Sequence, residues 1–241
     1  MAAFFVHGAP DTHRIWNPIR QQLPGSEAIA VDLPGFGSPV PDGFIATKES
    51  YVDWLIAQIE ALHEPVDIVG HDWGCVLALR VASRRPDLIR SWAAGDGPLN
   101  ARYEWHPLAK MLQTPGKGEE YLRTFDPKQF EQALLQDGVP LAYAAEAPGR
   151  VDTIMGDCLL KLYRSAVTVG ADWQPGLANV TAPGLVIWGK RDQSVPVENA
   201  DILARDTGAR QVLKLDAGHW WPVQQPHQVA AALAQHWSTV A

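Results

Sequence analysis

Two cysteines, Cys75 and Cys158, are the only thiols in 241 residues. They are too few for a disulfide framework and suit a reducing compartment, so a cytoplasmic location is expected. No stretch approaches the roughly 18 continuous apolar residues of a spanning helix, which sets a helical membrane protein aside. Met1 leads into Ala2-Ala3-Phe4-Phe5-Val6 without a charged leader, a long apolar region or a cleavage site, and this reads as a strand rather than a signal peptide. Runs of Arg and Lys are missing too. With a net charge of -7, the surface would attract neither nucleic acid nor an anionic membrane, and neither is expected as a partner. Internal repeats and low-complexity tracts are absent. His13, His63, His106, His227 and His236 fall at no zinc-ligand spacing, so no metal is expected, and no cofactor either.

What is present is the composition of one globular core with one elaboration, 46% hydrophobic and 20% charged. Short apolar runs alternate with longer periodic segments, the pattern of an α/β protein with a mostly parallel sheet and helices on both faces. Strands are predicted at Ala2–Val6, Ala28–Asp32, Val66–Val69, Ser91–Gly95, Gly184–Trp188 and Gln211–Leu215. Helices are predicted from Asp11 or Thr12 to about Leu23, over Lys48–Leu62, and from about Cys75 to Ser83. From Leu99 to Gln174 no strand-like run occurs, only helical segments broken at Pro115-Gly116, Asp126-Pro127, Gly138-Pro140 and Pro148-Gly149. The expected organisation is a core of residues 1–98 and 175–241 with a helical cap, 99–174, inserted into it.

The core pattern converges on Gly70-His71-Asp72-Trp73-Gly74, a turn between a buried strand and a helix. Flanking glycines let strand and helix approach closely and push the central side chain out above the sheet, facing the unpaired N–H groups of the helix start. Asp and Gly are also ordinary turn residues, so this turn alone is only moderately specific. Asp192, in Gly189-Lys190-Arg191-Asp192, and His219, in Asp216-Ala217-Gly218-His219, each lie just past the carboxyl end of a strand, the edge where open parallel sheets bind ligands. Asp96 lies just past another, in Ala94-Gly95-Asp96-Gly97, where a turn aspartate would also be at home.

The order Asp72, Asp192, His219, together with His7-Gly8-Ala9-Pro10, His71-Asp72-Trp73-Gly74 and Asp32-Leu33-Pro34-Gly35-Phe36-Gly37-Ser38, resembles the α/β-hydrolase superfamily. More narrowly it is similar to its aspartate-nucleophile branch, the epoxide hydrolases and haloalkane dehalogenases. The resemblance implies a sheet of about six strands, because two strands that usually precede the His-Gly-x-Pro strand have no counterpart ahead of Ala2. Ala28–Asp32 would then be an edge, covered by a helix or a second subunit, so a homodimer is possible.

On this resemblance Asp72 is the nucleophile, His219 the base, and Asp192 the acid that orients it, with Asp96 as the alternative. A carboxylate is already ionised at neutral pH and can displace a leaving group from saturated carbon without a base. His219 would then activate the water that frees the resulting ester, with the N–H groups of Trp73 and Ala9 as the oxyanion hole. His7 and His71 would support these loops, and Trp220-Trp221 would pack over the base.

For the leaving group, Tyr163 in Tyr163-Arg164-Ser165-Ala166 is similar to one of two epoxide hydrolase tyrosines, and equally fits a helix tyrosine packing its ring. The expected position of the other holds Trp105 and His106, with Tyr103 and Tyr121 as outliers. Trp73 could instead serve a departing halide. Ala9 stands where one dehalogenase subgroup has Asn. The expected substrate is a small apolar epoxide, with an alkyl halide as the alternative, and water as co-substrate; a catalytically silent binding protein on the same fold is the reading from another class.

Overall fold

The computed structural model describes residues 2–23 and 27–240. Six strands, β1 (Ala2–Val6), β2 (Glu27–Val31), β3 (Val66–His71), β4 (Ile89–Gly95), β5 (Gly184–Gly189) and β6 (Gln211–Leu215), form one sheet in the order β2-β1-β3-β4-β5-β6. Every neighbouring pair is parallel, with Phe4 opposite Ile68 and Val69 opposite Ala93. Parallel strands need crossovers, and these lay helices over both faces.

Alternation along the strands sorts side chains between two cores. Phe4, Val6, Ile68 and Trp92 face the layer holding α2 (Lys48–Glu60) and α3 (Trp73–Arg84). Phe5, Val69, Leu185 and Ile187 face the layer of α1 (Asn17–Arg20), α11 (Trp221–Gln224) and α12 (Pro226–Ser238). Being covered twice explains why β1, β3 and β5 are buried throughout rather than alternating. The β2 strand is an edge, as the resemblance implies, with Glu27 exposed and Ala28–Val31 half-buried.

Between β4 and β5 lie α4 (Pro107–Gln113), α5 (Lys117–Arg123), α6 (Pro127–Gln136), α7 (Leu141–Glu146), α8 (Thr153–Ser165) and α9 (Val169–Trp173), with no strand among the described residues there. The breaks fall at the Pro and Gly positions, since Pro107 and Pro127 open helices and Gly116 and Gly138 take positive φ. α10 (Glu198–Thr207) crosses from β5 to β6 and stops at the left-handed Gly208.

One helix differs from expectation. In place of a continuous helix from Thr12, a 3-10 turn, His13–Trp16, precedes the single-turn α1. Pro18 lacks the N–H that would bond Arg14 O, so Asn17 N–H takes that carbonyl instead and the winding tightens. Thr12 does cap the turn.

The start of α3 is pressed against β1: a Cβ on Gly74 would stand 2.0 Å from the Val6 carbonyl oxygen, inside any permitted contact. Gly74→Ala should therefore force strand and helix apart and destabilise the fold by about 1–3 kcal/mol, read as a lower midpoint in thermal or urea unfolding. An unchanged midpoint would refute this close approach.

Candidate active site

The β3 strand delivers Asp72 to a turn in which its backbone adopts φ 54 and ψ −121, a conformation side-chain-bearing residues avoid. Its N–H is held by the Gly95 carbonyl at 3.1 Å. The carboxylate is anchored from the first loop, where the Ala9 N–H donates to Asp72 Oδ2 at 2.8 Å. Gly8 makes this possible, since a Cβ there would meet Oδ2 at 2.2 Å. His7 holds that loop in place. Leu33 N–H donates to its Nε2 at 3.0 Å, so Nδ1 carries the proton and donates to Gly8 O at 2.7 Å. Burial keeps this imidazole neutral, with its pKa lowered to about 4.

His219 stands beside the free carboxylate oxygen, its Nε2 3.8 Å from Asp72 Oδ1. Its Nδ1 is 2.8 Å from Asp192 Oδ2, whose other oxygen accepts the Ser194 and Val195 N–H groups at 2.7 and 3.0 Å. Asp96 is buried in the same place, but its Oδ2 lies 3.9 Å from Nδ1 and has no hydrogen-bond partner, while Oδ1 accepts only the Gly189 N–H at 3.3 Å. His71 Nε2 donates to the His219 carbonyl at 2.7 Å. Trp221 packs edge-on to His71 and Trp220 edge-on to His219, so the two indoles cover the imidazoles.

The charge states follow from these partners. Burial alone would depress His219, but Asp192, then Asp72 and Asp137, outweigh it and raise the pKa to about 9. Burial raises Asp72 above the usual carboxylate range, opposed by His219 and by the N–H groups of Ala9 and Trp73. Asp192 is also penalised by burial, yet His219 and the Val195 and Ser194 N–H groups bring it below that range. Burial and the neighbouring Asp192 push Asp96 well above it. His71 is lowered to about 3 by burial and His219, so it remains a neutral donor.

A cavity of about 160 Å³ opens over Asp72 and His219, between the sheet edge and the helical insertion. Tyr163 of α8, Trp105 and His106 all line it. Tyr103 and Tyr121 line it as well, although their sequence positions match no tyrosine motif. In the sequence they stand only as outliers from the expected tyrosine position. Trp73 is not among the lining residues; it is buried behind Trp105 and Tyr163, stacked on the first with centroids 5.9 Å apart and edge-on to the second at 5.1 Å. Its indole therefore stands behind the cavity wall. The Trp105 N–H is committed to Val167 O at 3.0 Å, and the Tyr103 hydroxyl donates to Ser194 O at 2.7 Å. His106 caps α4 by accepting the Ala109 N–H at 3.3 Å.

Among the described residues, His71, Asp96 and His219 bring ligand atoms within 4.8 Å of one another. Binding an ion there would set it against the Nδ1 bond from His219 to Asp192. The arrangement is suited to another chemistry: an anchored carboxylate with one exposed oxygen, an imidazole beside it, and an apolar, tyrosine-bearing space above.

Similarity to known proteins agrees with this layout. A pimeloyl-[acyl-carrier protein] methyl ester esterase of Neisseria meningitidis is 29% identical over 227 residues, covering 90% of this chain and 70% of that protein. An epoxide hydrolase of Caballeronia sordidicola is 25% identical and covers 99% and 88%. Among solved structures, a haloalkane dehalogenase of Bradyrhizobium elkani superposes with a TM-score of 0.78 at 24% identity, covering 98% of this chain and 91% of that one. A model described as the alpha/beta hydrolase family matches residues 3–232. With nearly its whole length matched and its sheet, elbow turn and loop-borne acid and histidine arranged accordingly, this chain is a member of the alpha/beta hydrolase family.

Proposed function

We propose that this hydrolase opens epoxides to diols through a covalent ester on Asp72. The observation that carries the reading is the carboxylate itself, with Oδ2 tied to the Ala9 N–H and Oδ1 left open beside His219 Nε2. Anchoring one oxygen orients the other as a nucleophile and pre-forms the site where negative charge gathers during ester hydrolysis. In the first step Oδ1 attacks an epoxide carbon, the C–O bond breaks, and Tyr163 protonates the leaving oxygen, recovering its proton from solvent afterwards. In the second, neutral His219 takes a proton from water, hydroxide adds to the Asp72 ester carbonyl, and the diol leaves as the carboxylate re-forms. Asp192 holds the Nδ1 proton and balances the imidazolium.

Epoxide is favoured over halide by where the donors go. A halide ion needs N–H groups, yet the Trp73 indole is buried behind the cavity wall, the Trp105 indole bonds Val167, and Ala9 offers no side-chain donor. Burial and the nearby Asp72 raise the Tyr163 hydroxyl above its ordinary range, so it keeps its O–H proton. Carboxylic esters rank below both, because a carboxylate attacking an acyl carbon would form an anhydride. The helical insertion, residues 99–174, acts here as a cap that supplies Tyr163 and the apolar walls.

The decisive experiment offers epoxides, haloalkanes and methyl esters to the protein and to His219→Gln. The variant should accumulate Asp72 alkylated by an epoxide, seen as a mass increase equal to the whole epoxide. A loss of the halogen from a haloalkane panel, with no diol from any epoxide, would transfer the assignment to dehalogenation. Tyr163→Phe should slow epoxide alkylation by about 100-fold or more and leave hydrolysis of a preformed ester nearly unchanged.

Asp192→Asn should slow ester hydrolysis far more than Asp96→Asn, measured by single turnover. Equal effects would remove Asp192 from its special place. The pH dependence has a defined sign. Alkylation needs ionised Asp72, so kcat/KM should fall on acidification through a pKa above the usual carboxylate range. Esterification removes the Asp72 charge that helps hold His219 at about 9, so the base should titrate lower in the alkyl-enzyme. Ester hydrolysis should rise with pH through that lower value and then level off, and a rate declining over the same range would contradict the base role.

A further inference from the structure

The loop carrying His219 is gripped by the helical insertion as well as by the sheet. Helix α6 ends at Gln136, and Asp137 follows, its N–H bonded to Ala133 O at 3.1 Å. Its carboxylate lies directly against Gly218. A Cβ at that position would stand 2.3 and 2.5 Å from the two carboxylate oxygens, so only glycine leaves the space. The carboxylate faces the backbone N–H groups of His219 and Trp220. Gln224 at the end of α11 closes the contact, its Oε1 accepting the Gly218 N–H at 2.9 Å while its Nε2 donates to the Asp137 carbonyl.

We propose that Asp137 is a positioning residue for His219, clamping the 218–220 loop onto the insertion and placing a negative charge beside the imidazole. This rests on the assignment of His219 as the base. The groups facing that imidazole are Asp192 from the loop after β5, Asp72 from the elbow, Asp96 after β4, His71 at the end of β3, His106 ahead of α4, and Asp137. His71 is neutral, His106 is held below its ordinary value by burial and His219, and Asp96 is driven toward its neutral form. Once Asp72 is an ester, the negative charges left to support the imidazolium are Asp192 and Asp137. Burial raises the Asp137 carboxyl, opposed by His219 and the two backbone N–H groups, so its charge is coupled to the loop it holds.

The test needs no substrate. The His219 imidazole is titrated by NMR in the wild type, in Asp137→Asn and in Asp137→Ala, the last serving if the first does not fold. In either variant the His219 titration should move below that measured in the wild type, and His219 should sample more than one position. With an epoxide that the wild type turns over, ester hydrolysis should slow by up to about 100-fold and its pH profile should shift downward, while alkylation keeps its rate. A folded variant whose His219 titrates as in the wild type overturns the proposal whatever its activity. Failure of the wild type to open any epoxide overturns the catalytic assignment instead and leaves the titration to decide the clamp.

Discussion

The constraint on which the site depends is the backbone of one residue. Asp72 is held at φ 54 and ψ −121, a conformation that costs on the order of 1–3 kcal/mol and persists only where its surroundings permit no other. They permit no other here. A Cβ on Gly70 would meet the Gly74 carbonyl at 2.3 Å, and one on Gly74 would meet Val6 O at 2.0 Å. The strand-to-helix turn is therefore as tight as backbone atoms allow, and the carboxylate projects to where the Ala9 N–H receives it. Two loops far apart in sequence meet at that hydrogen bond, each shaped by glycines that a larger residue could not replace.

Holding an anion in a buried place requires compensation, and the compensation doubles as chemistry. His219 is protonated in the resting state because Asp192 and Asp72 flank it. The resulting cation steadies Asp72 against its own desolvation. In the proposed mechanism, consuming the Asp72 charge in a covalent bond would withdraw its share of that support, so the event that creates the ester would make the neighbouring imidazole easier to deprotonate. On that mechanism His219 would give up its proton more readily at the moment it is needed as a proton acceptor. No movement of the chain is required for this change, only the loss of one charge a few ångströms away.

Much of this was legible in the sequence because it is written in local chemistry. The strands were readable as short apolar runs between turn residues, and the elbow, the Ala9 loop, Asp192 and His219 were readable because each follows a strand directly. Pro18 was equally visible, yet the segment reads as one helix until the missing N–H is set against the Arg14 carbonyl. What the sequence withholds lies in the insertion. Tyr103 and Tyr121 reach the cavity, and Asp137 reaches Gly218, through the packing of the insertion, a tertiary arrangement that periodicity does not encode. The place of the Trp73 indole belongs to the same class, since only the positions of Trp105 and Tyr163 show that it lies behind the cavity wall.

Asp96 and Asp192 show why residue identity and burial together still do not define a role. Both are aspartates just past the ends of adjacent strands, and both are buried next to the same imidazole. Two carboxylates this close cannot comfortably share two negative charges in a poorly solvated space. The outcome is decided by donors. Asp192 receives two backbone N–H groups and the imidazole, and stays ionised; Asp96 receives one long bond from Gly189, and is pushed toward its neutral form. The His219 imidazole, bonded to one of the two and seconded by backbone amides that the sequence does not distinguish from any others, thus selects which of two identical side chains carries the charge.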